Sequence, residues 1–383
     1  MSRRAPDAAP VDDGRGASGA TGGEAPLLEV TDLVTHFSTP RGVVRAVDGV
    51  SLSLRRGETL GVVGESGSGK TVLSRSIMGL LPKHNVIRRG SVRFDGREIG
   101  DADSEEMRGL WGTQIAMVFQ DPMTSLNPVM KIGRQITEPL LHHLDITKKY
   151  ARDLALSLLS SVGIPEPERR LGQYPHEMSG GMRQRVMIAI AIACGPKLLL
   201  ADEPTTALDV TVQAQILDLL QKEQQERYMA MILVTHDLGV VAGRADSIAV
   251  MYAGRVVEVA PTRTLFAAMR MPYTEALMRS IPRIAEPSHT RLKAIHGRPP
   301  ELIDPPPGCR FAPRCEYVQD RCWKEEPPLI PGDEPGHSYR CWFPVGTPEG
   351  EAARERNRAA GSAAPANAPE APAAPAAGAV AGA

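Results

Sequence analysis

The chain has 383 residues, a net charge of −1, 42% hydrophobic residues and 23% charged residues. That size and composition suit one large folded domain with appendages, or two domains, with enough apolar material for a true core. The near-neutral balance excludes the overall basic excess that drives non-specific nucleic-acid binding, and no apolar run approaches the roughly 20 residues of a membrane-spanning helix.

Residues 1–25 are rich in Ala, Gly, Pro and Asp, with almost no bulky apolar side chain. Such a stretch buries too little surface to offset the entropy of ordering and is expected to be disordered. No apolar run follows Arg3 and Arg4, so no signal peptide is expected. From about Pro26 onward, strand-like runs (Thr59–Val63, Ile115–Phe119, Lys197–Asp202, Met231–Thr235, Ser247–Met251) alternate with helix-like segments such as Val72–Leu80 and Val210–Arg227. The alternation predicts an α/β fold with a buried sheet over residues 26–282. Between about Asp121 and Ser179 the pattern turns helical and polar, over 148–162 and 165–172, which predicts an inserted helical subdomain. Residues 283–345 form a Pro-rich extension holding four cysteines. From 346 to 383 the chain is rich in Ala and Pro, and Pro365, Pro369, Pro372 and Pro375 would each break a helix. That tail, too, is expected to be disordered.

Two motifs carry chemistry. Gly64, Glu65, Ser66, Gly67, Ser68, Gly69, Lys70 and Thr71 match the phosphate-binding loop pattern, with an apolar strand before and a helix after. Glycines let successive backbone N–H groups converge on one point, and the helix N-terminus adds its positive dipole end. Lys70 would reach the β- and γ-phosphates of ATP, and the Thr71 hydroxyl would ligate Mg²⁺. The second motif is the strand Leu198–Ala201, which ends in Asp202 and Glu203. Two carboxylates at the tip of a buried strand suit a bound Mg²⁺ at Asp202, and at Glu203 a group that orients or deprotonates the attacking water.

With these motifs in place, the stretch Met178-Ser179-Gly180-Gly181-Met182-Arg183-Gln184-Arg185 resembles the signature of the ABC (ATP-binding cassette) family, with Met178 and Met182 departing from its usual Leu and Gln. The resemblance spans about Pro26 to Pro282. It implies a RecA-like P-loop core, an antiparallel β subdomain and the inserted helical subdomain. It also implies that Ser179, Gly180 and Gly181 contact ATP on an opposing cassette, so the chain works as half of a pair. By the same resemblance Gln120 senses Mg²⁺ and the attacking water, and Ala207-Leu208-Asp209 communicates across the pair. His236 contacts the γ-phosphate, and Phe37 stacks on adenine. Residues 118–128, Met271–Leu277 and Gly308–Cys315 are similar to the ATPase subunits of oligopeptide and dipeptide importers. Membership there implies membrane-spanning permease subunits, a second ATPase (self or sister), an external binding protein, and a place on the cytoplasmic face of a bacterial membrane. The alternative is a soluble ABC ATPase acting on nucleic acid or ribosomes; with one cassette and no basic excess, no nucleic-acid partner is expected.

Cys309, Cys315, Cys322 and Cys341 are separated by five, six and eighteen residues, whereas Cys194 stands apart as a small buried hydrophobe. Structural zinc sites favour close Cys pairs, and none exists here. The wide spacing suits an iron–sulfur cluster better, with zinc or no metal as alternatives. Relatives with this closing block hold a [4Fe–4S] cluster, so the resemblance implies one here.

Overall fold

The computed structural model describes residues 25–82, 84–100, 104–121, 125–206, 208–281, 295–303 and 305–360. Among them run the strands β1 (Leu28–Thr39), β2 (Gly42–Leu54), β3 (Thr59–Val63), β4 (Val86–Phe94), β5 (Arg97–Glu98), β6 (Ile115–Val118), β7 (Leu198–Asp202), β8 (Ala230–Thr235), β9 (Ser247–Tyr252), β10 (Arg255–Pro261), β11 (Ile330–Pro331) and β12 (Ser338–Tyr339). In the larger sheet, β9, β3, β8, β7 and β6 lie side by side and parallel. On the β9 side it continues antiparallel through β10, β12 and β11.

The central strands are apolar between their ends because both of their faces are covered. Alternation then sorts their side chains between two cores. Leu60, Val62, Leu198, Leu200, Ile232 and Val234 join the core shared with the antiparallel sheet β2-β1-β4-β5 and the helix Lys70–Ile77. Leu199, Ala201, Met231 and Leu233 join the opposite core. There they meet the helices Ile132–His143, Lys148–Ser161, Gly180–Ile192 and Val210–Glu226. The helical insertion is therefore present, with Ile132, Ile136, Leu140, Ala151, Ala155 and Leu159 as its inward face.

The cysteine-bearing extension packs directly on the cassette: β12 pairs with β10, and Phe311, Tyr317 and Val318 are buried in the core of the parallel sheet. One boundary differs from expectation: beyond 346 the chain forms the helix Pro348–Ala359. Thr347 caps it by accepting from Gly350 N, Pro348 sits in its first turn, and Ala353 is buried. The Arg354 guanidinium lies over the Tyr317 ring, 5.3 Å from its centre. The rest of the expected tails, 1–24 and 361–383, lies outside the described residues.

The extension is also tied to β2 through a buried charge. The Asp48 carboxylate accepts from Arg310 and from Arg255 (Nη2, 3.0 Å), and it lies 3.0 Å from His36 Nε2. Burial by itself would raise its pKa, but the hydrogen bond from Arg310 and the charges of Arg255 and Arg310 hold it at about 2. A folded pKa below the unfolded value stabilises the fold above about pH 4, and that contribution is lost as the pH falls toward 2. Asp48→Asn is therefore expected to lower the urea midpoint at pH 6, with the gap to the parent narrowing by pH 3. A gap independent of pH would show that the Asp48 charge contributes nothing.

Candidate active site

Four parallel strands deliver their functional residues at the same edge, outside their carboxyl ends, where ligands of open α/β sheets bind. After β3, the loop Gly64–Gly69 leads into the helix Lys70–Ile77. At its two ends the backbone passes so close to neighbouring strands that a side chain is excluded. A Cβ on Gly69, whose φ is +103°, would lie 2.1 Å from the Ala46 carbonyl oxygen; one on Gly64 would lie 2.2 Å from that of Met251. Ser66 and Gly67 form the exposed crown. The Ser68 hydroxyl is buried and has no hydrogen-bond partner among the described residues.

Lys70 is only 4% exposed, and its ammonium donates to the carbonyls of Gly64 (2.8 Å) and Glu65 (3.0 Å). Burial lowers its pKa, while the charges of Glu203, Asp202 and Glu65 act in the opposite direction. Next to it, Thr71 Oγ1 donates to Asp202 Oδ1 at 3.2 Å. Asp202 is buried at the end of β7, and burial raises its pKa.

Glu203 follows with φ +45°, an uncommon backbone state for a non-glycine residue that clusters at functional sites. One carboxylate oxygen accepts from Gln120 Nε2 (3.0 Å) and Thr206 Oγ1 (2.9 Å), and it lies 3.6 Å from His236 Nδ1. Gln120 follows β6 and His236 follows β8. The structure thus brings together Gln120, Glu203 and His236, and it sets Asp202 against Thr71 beside the buried Lys70. Thr206 was not anticipated; only its position three residues after Glu203 could have suggested it.

The other expected residues stand apart from this cluster in their hydrogen bonding. Ser179 caps the helix Gly180–Ile192 by accepting from Met182 N, and Ser179 and Gly180 are exposed. Gly181 packs closely on Val212. Met178 is buried in the core, so its departure from Leu exchanges one apolar side chain for another of similar volume. Asp209 caps the helix Val210–Glu226 by accepting from Val212 N at 2.9 Å. Ala207 lies outside the described residues. Phe37 is half-buried on β1, opposite Val44 and Val86.

The metal expectation at the cysteines is overturned. Among the described residues, no group of three or more His, Cys, Asp or Glu side chains is placed to hold a metal ion, and the cysteines are free. Cys309, Cys315, Cys322 and Cys341 instead line a small apolar pocket with Tyr317 and Phe343. Burial pushes the Cys309 thiol up to about 12 and those of Cys315 and Cys341 well above the usual value; that of Cys322 is also raised. Surrounded by the side chains of this pocket, the thiols pack as small hydrophobes. Wide spacing in sequence carried no information about this surrounding.

Sequence comparison agrees with the site. A family described as ABC transporter matches residues 47–206, and one described as oligopeptide/dipeptide transporter, C-terminal region, matches 257–322. The chain is 49% identical over 318 residues to the oligopeptide transport ATP-binding protein OppD of Bacillus subtilis (strain 168), covering 83% of this chain and 88% of that one. It is 49% identical over 319 residues to the dipeptide transport ATP-binding protein DppD of Escherichia coli (strain K12), covering 83% and 97%. Among solved structures, it is similar to the ATP-binding cassette MJ0796 in a dimeric post-hydrolysis state bound to ADP and Pi, at 28% identity and a TM-score of 0.56, covering 62% of this chain and 99% of that one. With relatives matched over nearly their whole length and an intact phosphate loop, the chain belongs to the ABC transporter ATP-binding proteins, in the oligopeptide/dipeptide branch.

Proposed function

We propose that the chain is the ATP-hydrolysing subunit of a peptide importer, and that Glu203 is the group that activates water. The observation carrying the reading is the single Glu203 carboxylate oxygen shared by Gln120 and Thr206, with His236 close by, at the same sheet edge as the buried Lys70. The names of its relatives support oligopeptides or dipeptides as cargo and favour transport over a role on nucleic acid or ribosomes.

In this reading ATP lies on Gly64–Thr71, with adenine against Phe37. Lys70 exchanges its loop carbonyls for phosphate oxygens, and the unpartnered Ser68 hydroxyl offers a further donor. Glu203 accepts a proton from water as that water attacks the γ-phosphorus, the bond to the departing ADP oxygen breaks, and His236 and Gln120 hold the carboxylate in line. Hard oxygens at Asp202 and Thr71, with Gln120, fit Mg²⁺, which when bound neutralises phosphate charge. Ser179 and the amides of Gly180 and Gly181 stand at an exposed helix N-terminus suited to a phosphate held by a second cassette, and Asp209 lies beside that surface. Closure of the pair on ATP drives the permease subunits, which receive peptide from an external binding protein. Among the described residues no helix is long and apolar enough to cross a membrane, so attachment at the cytoplasmic face runs through those subunits. The working unit is the cassette, residues 26–282 with the helical insertion near 121–179, together with the extension from 283 and the helix Pro348–Ala359 packed on it.

Glu203→Gln is expected to slow phosphate release by about 10² to 10⁴-fold while ATP still binds; an unchanged rate would remove Glu203 from the chemistry. Lys70→Ala is expected to weaken ATP binding itself, read by equilibrium dialysis with labelled ATP, and parental affinity in that variant would rule out the loop as the cradle. Cells carrying either variant in place of the parent are expected to lose uptake of labelled dipeptide and tripeptide but to retain uptake of free amino acids. Continued peptide uptake would refute the cargo assignment.

A further inference from the structure

The phosphate loop contains an apparent liability. Glu65 places a carboxylate on the loop whose amides are to gather a polyanion, and an unneutralised charge there would repel the nucleotide. The structure shows where that charge goes. Arg314, from the extension, grips it with a two-pronged fork: Nη1 donates to Oε2 at 2.6 Å and Nη2 to Oε1 at 2.9 Å. The Arg314 side chain is 2% exposed and that of Glu65 26%.

Arg314 is itself held on several sides. Its Nε donates to the His296 carbonyl at 2.8 Å, and Nη1 also donates to the Tyr252 hydroxyl at 3.2 Å. The guanidinium lies 5.8 Å from the centre of the Tyr252 ring and 6.0 Å from that of Phe311. Glu65 is fixed at its backbone as well, where its N–H donates to the hydroxyl of the fully buried Tyr273 at 2.9 Å. Both handles of this loop residue are thus taken by residues more than 200 positions away in sequence. A buried cation used only to join two segments would need any nearby acid; this one is paired with the acid whose free charge would damage nucleotide binding.

We infer that Arg314 is a positioning residue for the nucleotide site, neutralising Glu65 and holding the phosphate loop in the shape that receives a triphosphate. This rests on Gly64–Thr71 being the nucleotide site. Arg314 does not touch the reacting atoms; it acts through Glu65. The extension is therefore part of the ATP-binding apparatus.

The test is the affinity of the full-length chain for a fluorescent ATP analogue, together with its KM and kcat for ATP. Arg314→Gln leaves Glu65 charged and unpaired, and is expected to weaken analogue binding and raise KM about tenfold, with kcat within about twofold because Glu203 is untouched. Adding Glu65→Gln to that variant removes the stranded charge and is expected to restore most of the affinity. Arg314→Lys, which keeps the charge but not the fork, is expected to fall between parent and Arg314→Gln, and it serves as the variant of record if Arg314→Gln does not fold by circular dichroism. Parental affinity in Arg314→Gln would overturn the inference. So would a double variant, or an Arg314→Lys protein, as weak as Arg314→Gln, since a purely structural brace is not repaired by removing its partner's charge or by keeping its own. If the parent chain does not bind the analogue, the nucleotide reading of the loop fails first, which separates the two conclusions.

Discussion

A lysine ammonium withdrawn from water must be surrounded by oxygen, and meeting that demand at Lys70 organises the centre of the molecule. The loop carbonyls of Gly64 and Glu65 supply the first oxygens, and the acids Asp202, Glu203 and Glu65 supply the compensating field. For the loop to curl this tightly it must press on the backbones of β2 and β9, which is why glycine is required at its two ends. For the acids to arrive, β7 must end next to β3 with only β8 between them, as the strand order provides. The parallel sheet is thus the means by which distant carboxylates meet one buried cation.

The extension takes part in the same arrangement. Its short strands lengthen the sheet beyond β10, its aromatic residues complete the core under β9, and its arginines reach both β2 and the phosphate loop. The aromatic trio Tyr252, Tyr273 and Phe311, packed edge-to-face and tilted with ring centres 4.5 to 5.3 Å apart, joins a sheet strand, a following helix and the extension in one apolar contact. Within that packing the four cysteine side chains line one small apolar pocket.

How legible each part was in the sequence depended on how local its cause was. The phosphate loop and the Asp202–Glu203 pair could be read because their chemistry is fixed by adjacent residues. The central strands could be read because burial on both faces leaves an unbroken apolar run. β1 and β4 are covered more on one face than the other, so polar residues interrupt them, and only family resemblance anticipated that sheet. The helix Pro348–Ala359 was hidden because it was read together with the Ala- and Pro-rich stretch that follows, whose prolines all lie beyond Ala359; what holds it is the contact of Arg354 with Tyr317 and the burial of Ala353. Arg314 and Tyr273 lie in stretches that family resemblance singled out, but their contacts could not be read there: each meets a partner more than 200 residues earlier. The cysteines misled for a related reason, since spacing says nothing about the dielectric of the surroundings.

The long reach from Glu65 to Arg314 bears on synthesis as well as on architecture. A ribosome adding about 5–20 residues per second needs roughly 10–50 s to cover the 249 positions between them. Throughout that interval the loop exists with its carboxylate uncompensated, and for the first 208 of those positions its Tyr273 anchor has not yet been made. Nucleotide capture of full strength therefore waits until Arg314 has emerged, and a product terminated before it lacks the residue that makes its own loop receptive. Emergence of the extension and competence for ATP become, through one ion pair, nearly the same event.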